Sequence, residues 1–149
     1  MKALTLSLLL SLVAAAYAVP PPPEKKESTI NSAEVIAIVT ISRVDSSTDK
    51  DGITSEVAYL HVEQVLKGTL PEGAKLKNVT SRLFPCHPPT LEQSKGRALV
   101  FLCKEGEFYR HGWTQLRPIR DGQVSWYGSS KSEPLTNVVE DIKRIVGTK

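Results

Sequence analysis

The 149-residue chain predicts a mainly β fold, a small antiparallel β-barrel with a C-terminal amphipathic α-helix. Three observations point there. Short runs rich in β-branched and aromatic residues follow one another along most of the chain. Gly, Pro and Asp-Gly turn signals separate them. The apolar pattern then switches to helical spacing only once, near residue 135. The composition, 40% hydrophobic and 23% charged, is that of an ordinary globular chain with room for one domain.

The first 18 residues are expected to be a signal peptide rather than part of the fold. Lys2 gives a positive start, Leu4 to Ala16 is almost wholly apolar, and Ala16-Tyr17-Ala18 supplies small residues at the cleavage site. The apolar run is shorter than the roughly 20 residues that cross a bilayer, so no membrane span is expected. Residues 19–29 read as an exposed arm, with Pro20 to Pro23 extended and Glu24 to Glu27 a solvated charge cluster. The barrel domain is then expected over residues 30–149.

Residues 34–44 are apolar on both faces, the pattern of a strand covered on both sides. Residues 45–52 read as a polar loop ending in Asp51-Gly52. Residues 55–66 alternate, with Ala58, Leu60, Val62 and Leu66 on one face and Val57, Tyr59, His61 and Glu63 on the other. Residues 75–83 form a weaker strand expected at an edge. The prolines at 85, 88 and 89 keep residues 84–96 out of regular structure. Residues 97–103 are a compact apolar strand, and 107–111 and 114–119 are further strands. Asp121-Gly122 makes a hairpin turn into 124–127. Leu135, Val138, Val139, Ile142, Ile145 and Val146 then mark the helix, with Ser132 and Pro134 at its start and Gly147 at its end.

Charge and motifs exclude more than they select. A net charge of +3, from 19 Lys+Arg against 16 Asp+Glu, gives no concentrated basic face, and no nucleic-acid partner is expected. The Ser47, Asp49, Asp51, Gly52 run lacks the carboxylates of a calcium loop, Ala58 standing where the bidentate Glu belongs. His61, His87 and His111 have no zinc spacing, and no metal or cofactor is expected. Neither a nucleophile elbow nor a phosphate loop occurs, and adjacent Cys86 and His87 point apart on an extended chain. The chain therefore reads as a non-enzyme, with an exported hydrolase the weakest alternative.

In an oxidising compartment Cys86 and Cys103 are expected to pair, closing a loop of about 17 residues worth about 3 kcal/mol in the chain-entropy picture. Asn78-Val79-Thr80 is a sequon that would be read as an N-glycosylation site in a eukaryotic source. Candidate partner-binding residues fall in two groups. Phe84, Pro85, His87 and Pro88 lie in the proline-rich segment. Trp113, Arg117, Trp126 and Tyr127 belong to an aromatic and arginine cluster of the kind that dominates binding hot spots; the competing reading is that these rings fill the barrel end beneath the helix.

Four stretches occur in a familiar order: Ser32 to Ala37, Val62 to Gly68 ending in a Lys-Gly step, Cys86 in a loop, and Gly96 to Phe101. Their order resembles the netrin-like domain of tissue inhibitors of metalloproteinases and related exported proteins. The resemblance implies an oligomer-binding-type five-stranded barrel (OB-like). It does not carry the inhibitors' zinc-chelating wedge, which needs a Cys at the mature N-terminus; here that end would be Val19-Pro20, and no Cys precedes Cys86. The expectation is thus a small secreted or periplasmic monomer that binds another exported protein. A protease inhibitor acting through residues 84–90 is the alternative.

Overall fold

The computed structural model describes residues 25–81, 90–111, 116–126, 129 and 131–147. Strands β1 (Val35–Thr48), β2 (Ile53–Lys67), β3 (Lys75–Ser81), β4 (Gly96–Glu105) and β5 (Phe108–Arg110) close into a five-stranded barrel. Its order is β1-β2-β3-β5-β4 and back to β1, with β4 antiparallel to β1 from Val35↔Leu102 to Ile41↔Gly96. The β3–β5 contact is the one parallel step, made at Leu76↔Tyr109. The mainly β, OB-like barrel with a C-terminal helix is therefore the observed fold. Strand β6 (Leu116–Pro118) pairs with β4 outside the ring. Strands β7 (Gln123–Ser125) and β8 (Ser132–Pro134) form a separate ribbon. Among the described residues two α-helices, α1 (Lys26–Ser32) and α2 (Leu135–Gly147), pack outside the barrel.

The double-sided apolar character of β1 and β4 has a direct cause: each strand serves two cores. Val35, Ala37, Val39 and Ile41 of β1 point into the barrel with Ala98, Val100 and Leu102 of β4. Ile36, Ile38, Leu99 and Phe101 point outward beneath Ile30 of α1 and Val138 and Ile142 of α2. Small residues (Ala37, Ala58, Ala98) stand in the interior cluster, as the narrow bore of a five-stranded ring favours. Leu70 and Leu91 belong to the same interior cluster. Register shifts at Ile36/Ala37, Ile38/Val39 and Ile41/Arg43 bend β1 around the barrel.

Several sequence boundaries move. Residues 45–48 are not loop: β1 runs on to Thr48, pairing Asp45↔Val57 through Thr48↔Thr54 as a solvated ribbon, which is why they look polar. The turn is confined to Asp49–Gly52, where Asp49 Oδ1 accepts the Asp51 and Ile53 N–H groups, each at 2.9 Å. Strand β3 is more than an edge, since Leu76 completes the ring. The Asp121-Gly122 turn is present, with φ of 50° and 71°, but its only ladder contact is the Arg120↔Gln123 bridge, and β7 then leaves to join β8. Ser132 and Pro134 belong to β8, so the helix begins one residue later, at Leu135.

The largest revision is at the N-terminal side. Residues 26–32 are helix, not arm, and the domain begins before residue 30. Ile30 is fully buried, and Lys26 is not merely solvated: its Nζ reaches Glu133 at 2.7 Å and Asp141 at 2.6 Å. Lys67 Nζ donates to the carbonyls of Ile30 (2.9 Å), Asn31 and Ala33, satisfying the C-terminal end of α1. Residues 1–18 and 19–24 lie outside the described residues. Among those described, no helix is long and apolar enough to cross a membrane.

Candidate functional site

An open groove of about 600 Å³ lies where β6 meets the β7–β8 ribbon. Its wall is Arg117 on β6 and Trp126 just beyond β7; its rim includes Arg120, Asp121, Ser125 and Ser132. Arg117 is placed by the Leu99↔Arg117 pair, which turns its side chain to the outer layer of β4 rather than to the barrel interior. Both wall residues are only 7% exposed.

The two meet face to face. The Arg117 guanidinium carbon lies 5.7 Å from the Trp126 ring centroid, and Lys26 Nζ lies 5.3 Å from the same ring. Phe101 approaches at 5.8 Å between centroids with the planes tilted by 53°. Burial pushes the Arg117 pKa down to about 10, so the group still carries its charge at neutral pH. A buried cation against an indole is a strong local field with an apolar wall, suited to a carboxylate or other anionic group entering from the rim. Trp126 Nε1 is buried with no hydrogen-bond acceptor among the described residues, a donor on the same wall.

Of the aromatic and arginine cluster, Arg117 and Trp126 are therefore brought together, while Trp113 and Tyr127 lie outside the described residues. The packing reading also has support at one ring: Trp126 is buried in the core beneath the C-terminal helix. Phe84, Pro85, Cys86, His87 and Pro88 fall outside the described residues. Cys103 is a half-buried free thiol on β4, and Cys86, its expected partner, lies outside the described residues.

Asn78 corrects the sequon reading. It is 8% exposed, and its Nδ2 donates to Glu56 Oε2 at 3.2 Å inside the barrel. A glycan on that nitrogen would break the pair. Glu56, 3% exposed, also accepts the Leu91 N–H at 3.0 Å, anchoring the start of a 3₁₀ turn over Glu92–Ser94. The contacts of Glu56, Lys26 and Lys67 are not legible in the sequence. Each looks like an ordinary charge on a polar face, and nothing local marks it otherwise.

Among the described residues no three His, Cys, Asp or Glu side chains are grouped to hold a metal ion. His61 is taken up by Glu72 at 2.7 Å on the barrel surface. No protein-family model matches the chain, and no curated protein matches it.

Proposed function

We propose that this is a small exported, non-enzymatic binding protein, a netrin-like barrel that docks another extracellular or periplasmic protein at the groove of Arg117 and Trp126. One observation carries the reading: a buried arginine and a buried tryptophan form one wall of an open groove of about 600 Å³. Residues of these types in a desolvated, preformed setting are what partner anchors engage. The test uses the rim, which can be changed without disturbing the core. Affinity capture from the native extracellular fraction should retrieve a partner with the wild-type protein and lose it with Arg120→Glu or Ser125→Arg. Equal capture by all three proteins would overturn the groove as the site.

The inhibitor reading also has an observation in its favour. Glu56 pins Leu91, and Thr90 and Gln93 cap one another, Thr90 N to Gln93 Oε1 at 3.3 Å and Gln93 N to Thr90 Oγ1 at 3.2 Å. Thr90, where the 84–90 segment ends, thus stands on a fixed support, and a fixed base favours a binding loop. Titration against a panel of secreted proteases decides it, since no inhibition at micromolar protein removes this reading. Export would also pair Cys86 with Cys103. Alkylation of the unfolded, unreduced protein should then leave its mass unchanged, and a gain of two alkyl groups overturns the bridge.

A further inference from the structure

The rims of the groove between β6 and the β7–β8 ribbon are held by main-chain bonds. The Asp121-Gly122 turn is closed on both sides, Arg120 N donating to the Gln123 carbonyl at 3.1 Å and Gln123 N to the Arg120 carbonyl at 2.8 Å. The Gly122 carbonyl accepts the Leu135 N–H at 2.8 Å, which ties the turn to the first residue of α2. Ser125 and Ser132, also in the lining, are paired in the β7–β8 ladder. The lining is therefore in place before anything binds, and docking need not order it.

Two cations belong to that lining, and they differ in depth. Arg117 is 7% exposed and lies against the Trp126 ring, whereas Arg120 stands exposed on the rim. Burial lowers the Arg117 pKa to about 10, so it stays charged at neutral pH and acts on an entering anion chiefly through its field. Arg120 is the one placed to make contact. Lys26, also near the ring, is committed to Glu133 and Asp141. Leu116, Pro118 and the Trp126 ring give the same groove an apolar surface. We propose that, given docking at this groove, its anchor is a single acidic side chain of the partner protein, an Asp or Glu next to an apolar residue. The planar guanidinium of Arg120 matches a carboxylate in two parallel bonds. The neighbouring apolar residue covers Leu116, Pro118 and the indole. Asp121, exposed on the same rim, limits the charge: it repels a second carboxylate, so an acidic run or a polyanion loses part of what the first carboxylate gains. An open groove lets the partner's chain run past it, which suits a side chain better than a chain end.

The test follows the Arg120 main-chain N–H and the Trp126 indole N–H of the full exported protein by two-dimensional NMR. Four peptides are titrated: acetyl-Leu-Glu-Leu-amide, its glutamine counterpart, acetyl-Leu-Gln-Leu with a free terminal carboxylate, and blocked tetraglutamate. The Leu-Glu-Leu peptide should move both signals with a Kd of about 1 mM, the strength of a lone anchor. The glutamine counterpart should bind about tenfold more weakly, and Arg120→Gln should weaken the glutamate peptide by about as much. Equal binding of the glutamate and glutamine peptides overturns the proposal, as does unchanged binding to Arg120→Gln. Tighter binding of the free-terminus peptide assigns the groove to a chain end, and tighter binding of tetraglutamate to a polyanion; either overturns the single acidic side chain. So does the absence of any shift up to about 10 mM peptide. The groove as the docking site fails separately, only if capture of the partner is unaffected by Arg120→Glu and Ser125→Arg.

Discussion

Gly68 follows Lys67 where β2 ends against the start of β1. Its φ is +71°, and a Cβ there would stand 2.4 Å from the Glu34 carbonyl oxygen, a backbone atom that cannot turn aside. Lys67 beside it holds three carbonyls at the end of α1. The Lys-Gly step is thus a paired device, one residue tying the helix and the other letting two backbones touch. Gly68→Ala should lower stability by about 2 kcal/mol or more, from the left-handed backbone and the forced contact together. The urea midpoint measures it, and an unchanged midpoint would mean that the turn relaxes freely.

Between elements, one lysine ties α1 to α2 beside their shared apolar contact. Lys26 joins Glu133 of β8 and Asp141 of α2 while lying over Trp126. Partial burial works against its charge, but the hydrogen bonds and charges of Asp141 and Glu133 outweigh that and raise its pKa. Hydrogen bonds from Lys26 first, and from Arg144, hold the Asp141 carboxyl below its usual range. A carboxyl with a lower pKa folded than unfolded contributes stability above its unfolded value near pH 4, and loses it as the pH falls through the folded value. Acid should therefore loosen this junction, and Asp141→Asn should remove that part of the acid dependence. Urea midpoints at pH 7 and pH 3 should differ less for the variant than for the wild type. An equal difference would show that Asp141 does not report the junction.

At the scale of the whole molecule, β1 and β4 form a shared wall between the barrel core and the helix core. Neither core can lose its wall without the other losing it too, so the described domain should unfold as one unit. Phe101→Ala removes a fully buried ring from the helix side and should cost about 3–5 kcal/mol. Tryptophan fluorescence and far-ultraviolet circular dichroism should still give coincident transitions in the variant. Separated transitions would show that α2 undocks before the barrel opens.

What the sequence by itself determined was whatever depends on neighbours along the chain. The double-sided run of β1 announced burial on both faces, the compact apolar run of β4 a strand, the alternation of β2 its half-buried face, and Asp121-Gly122 its positive-φ turn. The spacing from Leu135 onward marked the C-terminal helix. Two members of the candidate groove, Arg117 and Trp126, were legible as residue types, because tryptophan and arginine dominate binding hot spots. Their contact was not legible, since β6 and the end of β7 meet only through the packing on β4. Tertiary structure alone decided the roles of Lys26, Glu56, Lys67 and Asn78. Each finds its partners at least 22 residues away in sequence, in one case 115. A charge or amide reads as solvated until the fold supplies the distant carboxylate, carbonyl or N–H that makes its burial affordable.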